Sequence, residues 1–213
     1  MEGIVLKAID FRERQRIVTI FTPDHGLITV FVPGITPKNP QRINLSTPLT
    51  LADWQIKERR TELWRFFDAS ILNLHLPIRQ DLARLQAARS MLTRILSTQL
   101  PNKSAPELYH LLKSFLKNLT TGDPNLLNLT FALKLMRHEG QLSLSANCTQ
   151  CESPRSFHFD QGANYCSTCA PPNAHPITAT QWQHMMSLLA LRSFKELSTH
   201  TFDPEISAIT SLL

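Results

Sequence analysis

Four cysteines restrict the folding of this chain more than any other feature of its sequence. They form two C-x2-C pairs, Cys148 with Cys151 and Cys166 with Cys169, and 14 residues separate the pairs. A C-x2-C turn places two sulfurs on one side of a tetrahedral Zn²⁺ site, and a second turn completes the ligand set. We therefore predict a structural zinc site, because four cysteine ligands leave no open position for water or substrate.

Other uses of these cysteines stay open from the sequence alone. Two disulfides fit an exported protein, a redox pair needs a single C-x2-C motif in a βαβ context, and free thiols are the third alternative. We do not expect export, because Glu2 lies where a secretory signal carries bases. Residues 156–162 are interpreted as a hairpin between the pairs, and His158 and His175 as histidines outside a complete ligand set.

The first 77 residues have the pattern of a small β-barrel. Closure of a short sheet removes its exposed edges, which favours an OB-type barrel of five strands. A turn at residues 23–26 joins the second and third strands, and residues 34–44 are predicted to be a loop because Pro37 and Pro40 interrupt them. The predicted strands are Gly3–Asp10, Arg16–Thr22, Leu27–Val32, Thr47–Lys57 and Leu63–Leu72.

From residue 78 onward the apolar residues recur at helical spacing. We predict a helix from Ile78 to Ile95, a second after a capping box at residues 104–107, and a third between Asp123 and Gly140. Two more are expected at residues 178–191 and 204–212. The fold class is therefore α+β, with an OB-type domain (residues 1–77) followed by a helical domain (residues 78–213) that contains the four-cysteine segment (residues 146–172).

The positive charge lies in the first two thirds of the chain. Its net charge is +5, made up of +2 in residues 1–77, +5 in residues 78–145 and −2 in the remainder. A polyanionic partner is therefore expected to bind before residue 146. The basic residues that we predict to contact nucleic acid lie in the connections between the predicted strands, and they are Arg12, Arg14, Arg16, Lys38, Arg42, Lys57, Arg59 and Arg60.

Aromatic side chains in the same region are candidates for stacking on bases. Alternation along the strands directs at least half of them into the barrel core; the six are Phe11, Phe31, Trp54, Trp64, Phe66 and Phe67. Among the helical residues, Lys113 and Lys117 share one face. The arginines spaced by five do not form one stripe, and they serve either as a solvated rim or as a phosphate track: Arg79, Arg84, Arg89 and Arg94.

No enzyme motif accompanies these features. The sequence has no P-loop, dinucleotide-binding or nucleophile-elbow pattern. We expect no membrane span, because no long uncharged apolar run is present. These observations favour a binding protein that is not an enzyme.

Three stretches resemble the bacterial RecO recombination-mediator family. Residues 3–8 (GIVLKA) and 16–28 (RIVTIFTPDHGLI) resemble the start of that family. Residues 131–140 (FALKLMRHEG) lead into Cys148 and Cys151 as the third helix of the family leads into its zinc segment. The order of barrel, helices, four-cysteine segment and final helices covers nearly the whole chain.

The resemblance implies an OB-fold barrel, a helical domain that holds a structural Zn²⁺, and a role in DNA repair and recombination in the RecFOR pathway. It implies binding of single- and double-stranded DNA, annealing of complementary strands and, with RecR and single-strand-binding protein, loading of RecA at gaps. A cytoplasmic, nucleoid-associated location follows from that role. The DNA-contact positions of the family carry over onto Lys7, Arg12, Arg14, Arg16, Lys38 and Arg42, although residues 35–42 hold fewer bases here than is usual.

Two other function classes remain open. A zinc adaptor without DNA binding, acting only through protein partners, would use the apolar surface of the helices. A nucleic-acid-modifying enzyme with a zinc ribbon would use converging residues that the sequence does not reveal. Our hypothesis is a non-enzymatic mediator whose cations neutralise phosphates, so its affinity is expected to fall with salt.

Overall fold

The computed structural model describes residues 1–58, 63–154 and 158–202. Arg59 and Arg60, part of the predicted hairpin (residues 156 and 157), and the last predicted helix (residues 204–212) lie outside the described residues. The chain divides into two compact units, Met1–Thr121 and Gly122–Leu213. Among the described residues, no helix combines the length and the apolar character needed to cross a membrane.

Five strands close into a barrel in the first unit, which confirms the predicted fold class. They are paired in the order β1-β2-β3-β5-β4, with β3 and β5 parallel and the other pairs antiparallel. The core contains Val18, Ile20, Val30, Trp54 and Trp64. The strands are β1 (Glu2–Arg12), β2 (Gln15–Thr22), β3 (Gly26–Pro33), β4 (Leu51–Lys57) and β5 (Leu63–Asn73).

The segment predicted as a loop after β3 contains a short helix, α1 (Pro40–Leu45), which corrects the prediction. Pro40 lies at its first position, where a missing N–H costs no hydrogen bond. The Asn39 side chain caps the helix by accepting from the Arg42 N–H at 3.2 Å. Pro40 therefore begins a helix in the segment that was predicted to be a loop.

Three helices follow the barrel in this unit: α2 (Leu76–Arg79), α3 (Leu82–Thr98) and α4 (Pro106–Asn118). The capping box predicted at Ser104 is wrong, because α4 begins at Pro106 and its N-cap is Ala105 without a side-chain bond. A residue before proline avoids the helical region, so the helix starts one residue too late for Ser104 to cap it. The Ser104 hydroxyl instead donates to the Pro23 carbonyl at 3.2 Å.

Helix α4 is attached to β1 by one carboxylate. Glu2 accepts hydrogen bonds from the Tyr109 hydroxyl at 2.6 Å and from Lys113 Nζ at 2.7 Å. Burial acts to raise the pKa of Glu2, but the bonds from Lys113 and Tyr109 outweigh it, and the pKa lies below its usual value. Lys113 is therefore occupied by this ion pair, and the expected basic face of Lys113 with Lys117 does not form.

The junction between β5 and α2 contains a buried histidine. His75 has a left-handed backbone (φ 49°), and its Nδ1 lies 2.8 Å from the Leu49 carbonyl oxygen, so that nitrogen donates. Arg79 donates from Nε to the Leu74 carbonyl and from Nη2 to the Pro48 carbonyl, each at 2.6 Å. Burial and the nearby Arg79 charge lower the pKa of His75, although the Leu49 hydrogen bond opposes this.

The lowered pKa of His75 makes the protein less stable in mild acid. The His75 imidazole binds a proton more readily in the unfolded chain than in the folded chain. Its contribution to the free energy of unfolding is therefore fully present above the unfolded pKa of about 6.5 and is lost as the pH falls below that value. Urea unfolding curves across this range are expected to show a falling midpoint. His75→Asn, which tolerates the left-handed backbone, should reduce the pH dependence, and an unchanged pH dependence would contradict this account.

The described residues of the second unit form three helices and a small sheet with the cysteines beside it. Asp123 caps α5 by accepting from the Leu126 N–H at 2.8 Å, as predicted, and Thr178 and Gln181 form a capping box on α6. The elements are α5 (Pro124–His138), β6 (His158–Asp160), β7 (Ala163–Tyr165), β8 (His175–Pro176), α6 (Ala179–Ala190) and α7 (Phe194–Leu197). The sheet order is β7-β6-β8.

Candidate nucleic-acid interface and metal centre

The connection between β1 and β2 is a tight hairpin that presents two arginines. Arg12 pairs with Gln15, so only Glu13 and Arg14 form the turn. Arg14 has a positive φ of 62°, and its carbonyl accepts from the Ile35 N–H at 2.9 Å, which fixes the turn against the chain after β3. Arg12 and Arg14 are both exposed, as a phosphate contact requires.

Arg16 points to the end of the barrel and makes internal contacts. Its Nε donates to Asp10 Oδ1 at 2.7 Å, and Nη1 donates to the Ser46 hydroxyl at 3.1 Å. With these two contacts the Arg16 side chain is 24% exposed. Arg16 therefore presents less of its charge to solvent than Arg12 or Arg14 does.

Arg42 on α1 is also held in place by the barrel. Its Nη1 donates to the Pro33 carbonyl at 2.8 Å, and its guanidinium lies 4.9 Å from the centre of the Phe66 ring. Lys38 on the preceding loop, Lys57 at the end of β4 and Lys7 in β1 are exposed. Lys7 lies beside α3, away from the β1–β2 turn.

Three of the six candidate stacking residues are core residues, as the alternation predicts. Trp54, Trp64 and Phe66 are 1%, 5% and 9% exposed. Phe11 and Phe67 are instead about half exposed, at 49% and 53%. Only the exposed rings offer a face to a ligand.

Both exposed rings occupy β-bulges. Asp10 pairs with Arg16 and Arg12 with Gln15, so Phe11 is the extra residue in β1. Phe67 is likewise the extra residue of β5, where Gln55 pairs with Asp68 and Ile56 with Phe66. A bulge leaves one residue outside the ladder and redirects its side chain, which explains how two large apolar rings come to face solvent.

The two exposed rings, the partly buried ring of Phe31 and two arginines form a continuous row on the outer barrel face, here called the ring–cation strip: Phe11, Arg12, Phe31, Arg65 and Phe67. The Phe11 and Phe31 rings meet edge to face at 6.3 Å, and Phe31 is paired with Arg65 across β3 and β5. The Arg12 and Arg65 guanidinium groups lie 5.3 and 5.1 Å from the ring centres of Phe11 and Phe67. These contacts give the order Arg12, Phe11, Phe31, Arg65 and Phe67, so that a cation lies beside each exposed ring, an arrangement suited to bases and phosphates of a single strand.

The sequence interpretation missed Arg65. A signal for it was present, because Arg65 lies between Trp64 and Phe66, and alternation that buries both neighbours places Arg65 on the outer face. Lys57 pairs with Arg65 across β4 and β5 and extends the positive charge. The exposed acids Glu13, Glu58 and Asp68 border this surface.

The helical arginines do not form a phosphate track. Arg79 donates to backbone carbonyls, and burial lowers the pKa of both Arg79 and Arg94. Arg79 and Arg94 therefore belong neither to a solvated rim nor to a phosphate track. Arg89 is exposed and Arg84 is partly exposed.

The four cysteines converge as the zinc prediction requires. Their Sγ atoms all lie within 4.8 Å of one another, and those of Cys151 and Cys166 are 3.7 Å apart. Sulfurs at tetrahedral corners about 2.3 Å from a Zn²⁺ ion are about 3.8 Å apart, so the geometry fits this metal. The residues that would hold it are Cys148, Cys151, Cys166 and Cys169.

Local backbone also prepares the site for a cation. The N–H groups of Cys166 and Cys151 help to lower the pKa of Cys148 to about 6, and the Cys169 N–H lowers that of Cys166. Zn²⁺ binds thiolates, so these donors favour the ligand form. Cys151 and Cys169, one from each C-x2-C motif, instead have raised pKa values, to about 12 for Cys169, because neighbouring thiols compete to hold the negative charge.

A buried asparagine positions the two cysteine pairs. Asn164 in β7 donates from Nδ2 to the carbonyls of Ser145 and Asn147, and its Oδ1 accepts from the Ser145 N–H at 2.9 Å. Its backbone oxygen accepts from Thr149. Asn164 therefore joins the hairpin to the residues before and after Cys148.

The predicted hairpin exists in its described part. Strands β6 and β7 pair from His158 to Tyr165, and Gln161 and Gly162 form the turn with φ of 45° and 82°. A Cβ at Gly162 would lie 1.8 Å from the Gln141 carbonyl oxygen, so only glycine fits this close approach. In the sheet His158 pairs with Pro176 and His175 with Phe159, and both histidines lie outside the group of four sulfurs.

Comparison with known proteins covers nearly the whole chain. The family model described as recombination protein O N terminal matches residues 1–75, and that for recombination protein O C terminal matches residues 79–210. A protein named DNA repair protein RecO in Chlamydia trachomatis serovar D is 26% identical over 201 residues, which is 92% of this chain and 82% of that protein.

Two further relatives carry the same name. The protein of Anaeromyxobacter sp. (strain K) is 27% identical over 84% of this chain and 74% of its own length. That of Exiguobacterium sibiricum is 25% identical over 96% of this chain and 84% of its own length. The similarity therefore spans both the barrel and the helical part.

Proposed function

Because the chain belongs to the RecO family of DNA repair proteins, we propose that it binds single- and double-stranded DNA and anneals complementary strands. With RecR and single-strand-binding protein, it would help to load RecA at gaps. We propose this role as a mediator that is not an enzyme, acting in the cytoplasm at the nucleoid. The observation that carries the proposal is the ring–cation strip on the outer barrel face.

The strip supplies two kinds of contact that single strands require. The exposed faces of Phe11 and Phe67 can stack on bases of any sequence, because every base has a π face. Arg12 and Arg65 beside them can neutralise phosphates, and Arg14 extends this charge to the hairpin turn. Bound strands repel each other less once their phosphates are neutralised, which favours annealing.

The residues predicted to contact DNA differ in how far their charged groups are exposed to solvent. Arg12, Arg14, Lys38 and Lys57 are exposed, and we assign them the largest share of the affinity. The full proposed set remains Lys7, Arg12, Arg14, Arg16, Lys38, Arg42, Lys57, Arg59 and Arg60, with Arg65 added. We also propose residues 1–77 as the DNA-binding domain and residues 78–213 as the helical domain with its zinc segment at 146–172.

Zn²⁺ in this scheme has a structural task. The cation would cross-link the two cysteine pairs, and the four cysteine ligands leave no position for a reacting water. Asn164 and Gly162 hold the same segment from the protein side. Four thiolates around Zn²⁺ carry a formal charge of about −2, so we do not place a phosphate there.

An annealing assay tests the proposed function. Complementary oligonucleotides labelled with a fluorophore and a quencher are expected to lose fluorescence faster with the protein than without it. An unchanged annealing rate together with no binding of either strand would contradict the proposal and favour an adaptor that acts only through protein partners.

Loss of the exposed rings should weaken single-strand binding more than duplex binding. Each stacked base contributes about 1–3 kcal/mol, so Phe11→Ala/Phe67→Ala should reduce affinity for a single strand by at least about tenfold. Fluorescence anisotropy with a labelled oligonucleotide measures this change. Leu100→Ala, which removes another exposed apolar side chain of the same unit, should have no effect. Equal losses for single strands and duplexes would show that the rings do not stack.

A further inference from the structure

Helix α1 and strand β5 enclose a polar pocket beside the ring–cation strip. The pocket has a volume of about 490 Å³, within the range of about 300–1,000 Å³ that small-molecule sites span. We propose that this pocket, here called the α1 pocket, binds a guanine base of a single strand. The proposal rests on the proposed DNA binding and adds to it a preference for one base.

The pocket lies next to the last ring of the strip. Phe66 and Asp68 line it, and Phe67, whose exposed ring belongs to the strip, lies between them in β5. Lys38 is exposed one residue before Asn39, which lines the opposite wall and caps α1. A strand that stacks on Phe67 therefore passes the mouth of the pocket, with a cation available for its phosphates.

One wall of the pocket is an open edge of β5. The parallel pairing of β3 with β5 ends at Phe31 and Arg65, whereas β5 continues to Asn73. Over residues 66–71, β5 pairs with β4 on one side, and no strand in the described part of the chain pairs with its other side. Backbone N–H and C=O groups along such an edge remain free to bind a ligand. The edge of a base carries donors and acceptors that these groups can satisfy.

Arg42 and Phe66 provide a flat surface inside the pocket. The Arg42 guanidinium lies over the Phe66 ring, 4.9 Å from its centre, and Nη1 donates to the Pro33 carbonyl at 2.8 Å, which fixes its position. A base would stack on the second face of the guanidinium, because bases stack on arginine planes as they do on aromatic rings. A surface that is fixed before binding lowers the entropy cost of receiving the base.

One carboxylate in the lining favours a base over a phosphate. Asp68 is exposed at the pocket, and it is the one acidic residue among the lining residues, all of which belong to the described chain. Its two oxygens only accept hydrogen bonds at neutral pH, and its negative charge repels phosphate. A strand would therefore place a base with donors, and not its backbone, against Asp68.

The same carboxylate selects guanine among the four bases. The pairing edge of guanine carries two adjacent donors, N1–H and the 2-amino group, which match the two oxygens of a carboxylate. Adenine, cytosine and thymine each carry one donor group on that edge. The side chains of Gln41 and Ser70, both exposed in the lining, supply donors for guanine O6.

Replacement of one base tests the proposal. A short dT oligonucleotide with one central guanine should bind at least about fivefold more tightly than the same strand with hypoxanthine there, because hypoxanthine lacks only the 2-amino group. The two strands have equal charge and equal numbers of binding registers. Fluorescence anisotropy with the full chain measures both affinities, and their ratio is here called the guanine preference. Equal affinities would overturn the proposal.

Matched carboxylate variants locate the contact. Asp68→Asn should reduce the guanine preference to below about twofold, because one of the two acceptors becomes a donor, but it should not weaken binding of the hypoxanthine strand. Glu13→Gln removes the same charge at an exposed position outside the lining and should leave the preference unaltered. Equal changes in the two variants would contradict the assignment. Thermal unfolding should confirm that both variants fold, as their exposed positions lead us to expect.

The same strands separate the failure of this proposal from the failure of the proposed function. Tight binding of both strands with equal affinity would contradict the α1 pocket alone, whereas absence of binding to either strand would contradict both proposals. Free deoxyguanosine monophosphate should bind at least about tenfold more weakly than the guanine strand, because it lacks the contacts with the strip. Saturable binding of this nucleotide without a guanine preference between the strands would assign the pocket to a free nucleotide and overturn the proposal.

Discussion

Cys148→Ser is expected to lose its bound metal and to unfold the segment around the four cysteines. Apparent binding energies of structural Zn²⁺ sites are about 10–16 kcal/mol, and in small segments that energy is also folding energy. Cys148 is the most buried of the four ligands, so its replacement leaves three sulfurs and a buried hydroxyl group in the segment. Metal analysis should find about one Zn²⁺ per wild-type chain and almost none in the variant.

Hydrogen exchange measures the structural consequence. Amides of Asn164 and Tyr165 in β7 should lose protection in Cys148→Ser and in wild-type protein treated with a chelator. Ser167→Ala, an exposed change between the second pair of cysteines, should keep both the metal and the protection. If Cys148→Ser retained one tightly bound Zn²⁺ and full protection, the assignment of these sulfurs as the metal site would be wrong.

Arg12→Glu/Arg14→Glu is expected to weaken single-strand binding by about 30- to 100-fold at moderate salt. The change removes two phosphate contacts and places two carboxylates on the hairpin, where they repel the strand. Both side chains are exposed on a tight turn, so we expect little effect on folding. Anisotropy with a labelled oligonucleotide measures the affinity, and the annealing rate should fall with it.

A variant of identical net charge supplies the control. Lys117→Glu/Arg137→Glu changes two exposed cations outside the barrel and should reduce affinity by less than about threefold, as expected for distant screened charges. Comparable losses in the two double variants would mean that only total charge matters, and the barrel face would lose its assigned role.

The cysteine site could be predicted from the sequence because its chemistry is local. The C-x2-C spacing fixes the geometry of each pair, and only the approach of the two pairs depends on the fold. Asn164 could not be predicted, because its partners Ser145 and Asn147 lie 19 and 17 residues away. An asparagine in a short strand carries no mark of such contacts in the sequence.

The barrel could be predicted for a similar reason, because alternation along a strand is also local. The wrong predictions concern details that depend on neighbouring strands or residues. Alternation correctly buries Trp54, Trp64 and Phe66. The bulges that expose Phe11 and Phe67 depend on the register with neighbouring strands, which the sequence of one strand does not contain. The capping box failed because Pro106 shifts the start of α4, an effect of one residue on its neighbour that the pattern alone overlooks.

The exposure of the basic residues could not be predicted from the sequence either. Arg12 and Arg16 are equivalent in the sequence, yet only Arg16 meets Asp10 and Ser46. For Arg79 the sequence left a solvated rim and a phosphate track both open, but the Pro48 carbonyl, 31 residues earlier in the chain, accepts its hydrogen bond. Whether a basic residue faces solvent depends on acceptors that tertiary structure brings near.

The dependence of single-strand affinity on salt tests most directly whether the barrel grips phosphates by charge. A log–log plot of affinity against salt should be linear, with a slope of about −0.7 for each neutralised phosphate, and Arg12→Gln/Arg14→Gln should reduce that slope by about 1.4. A flat plot for the wild type, or the same slope for both proteins, would contradict electrostatic binding by the β1–β2 hairpin.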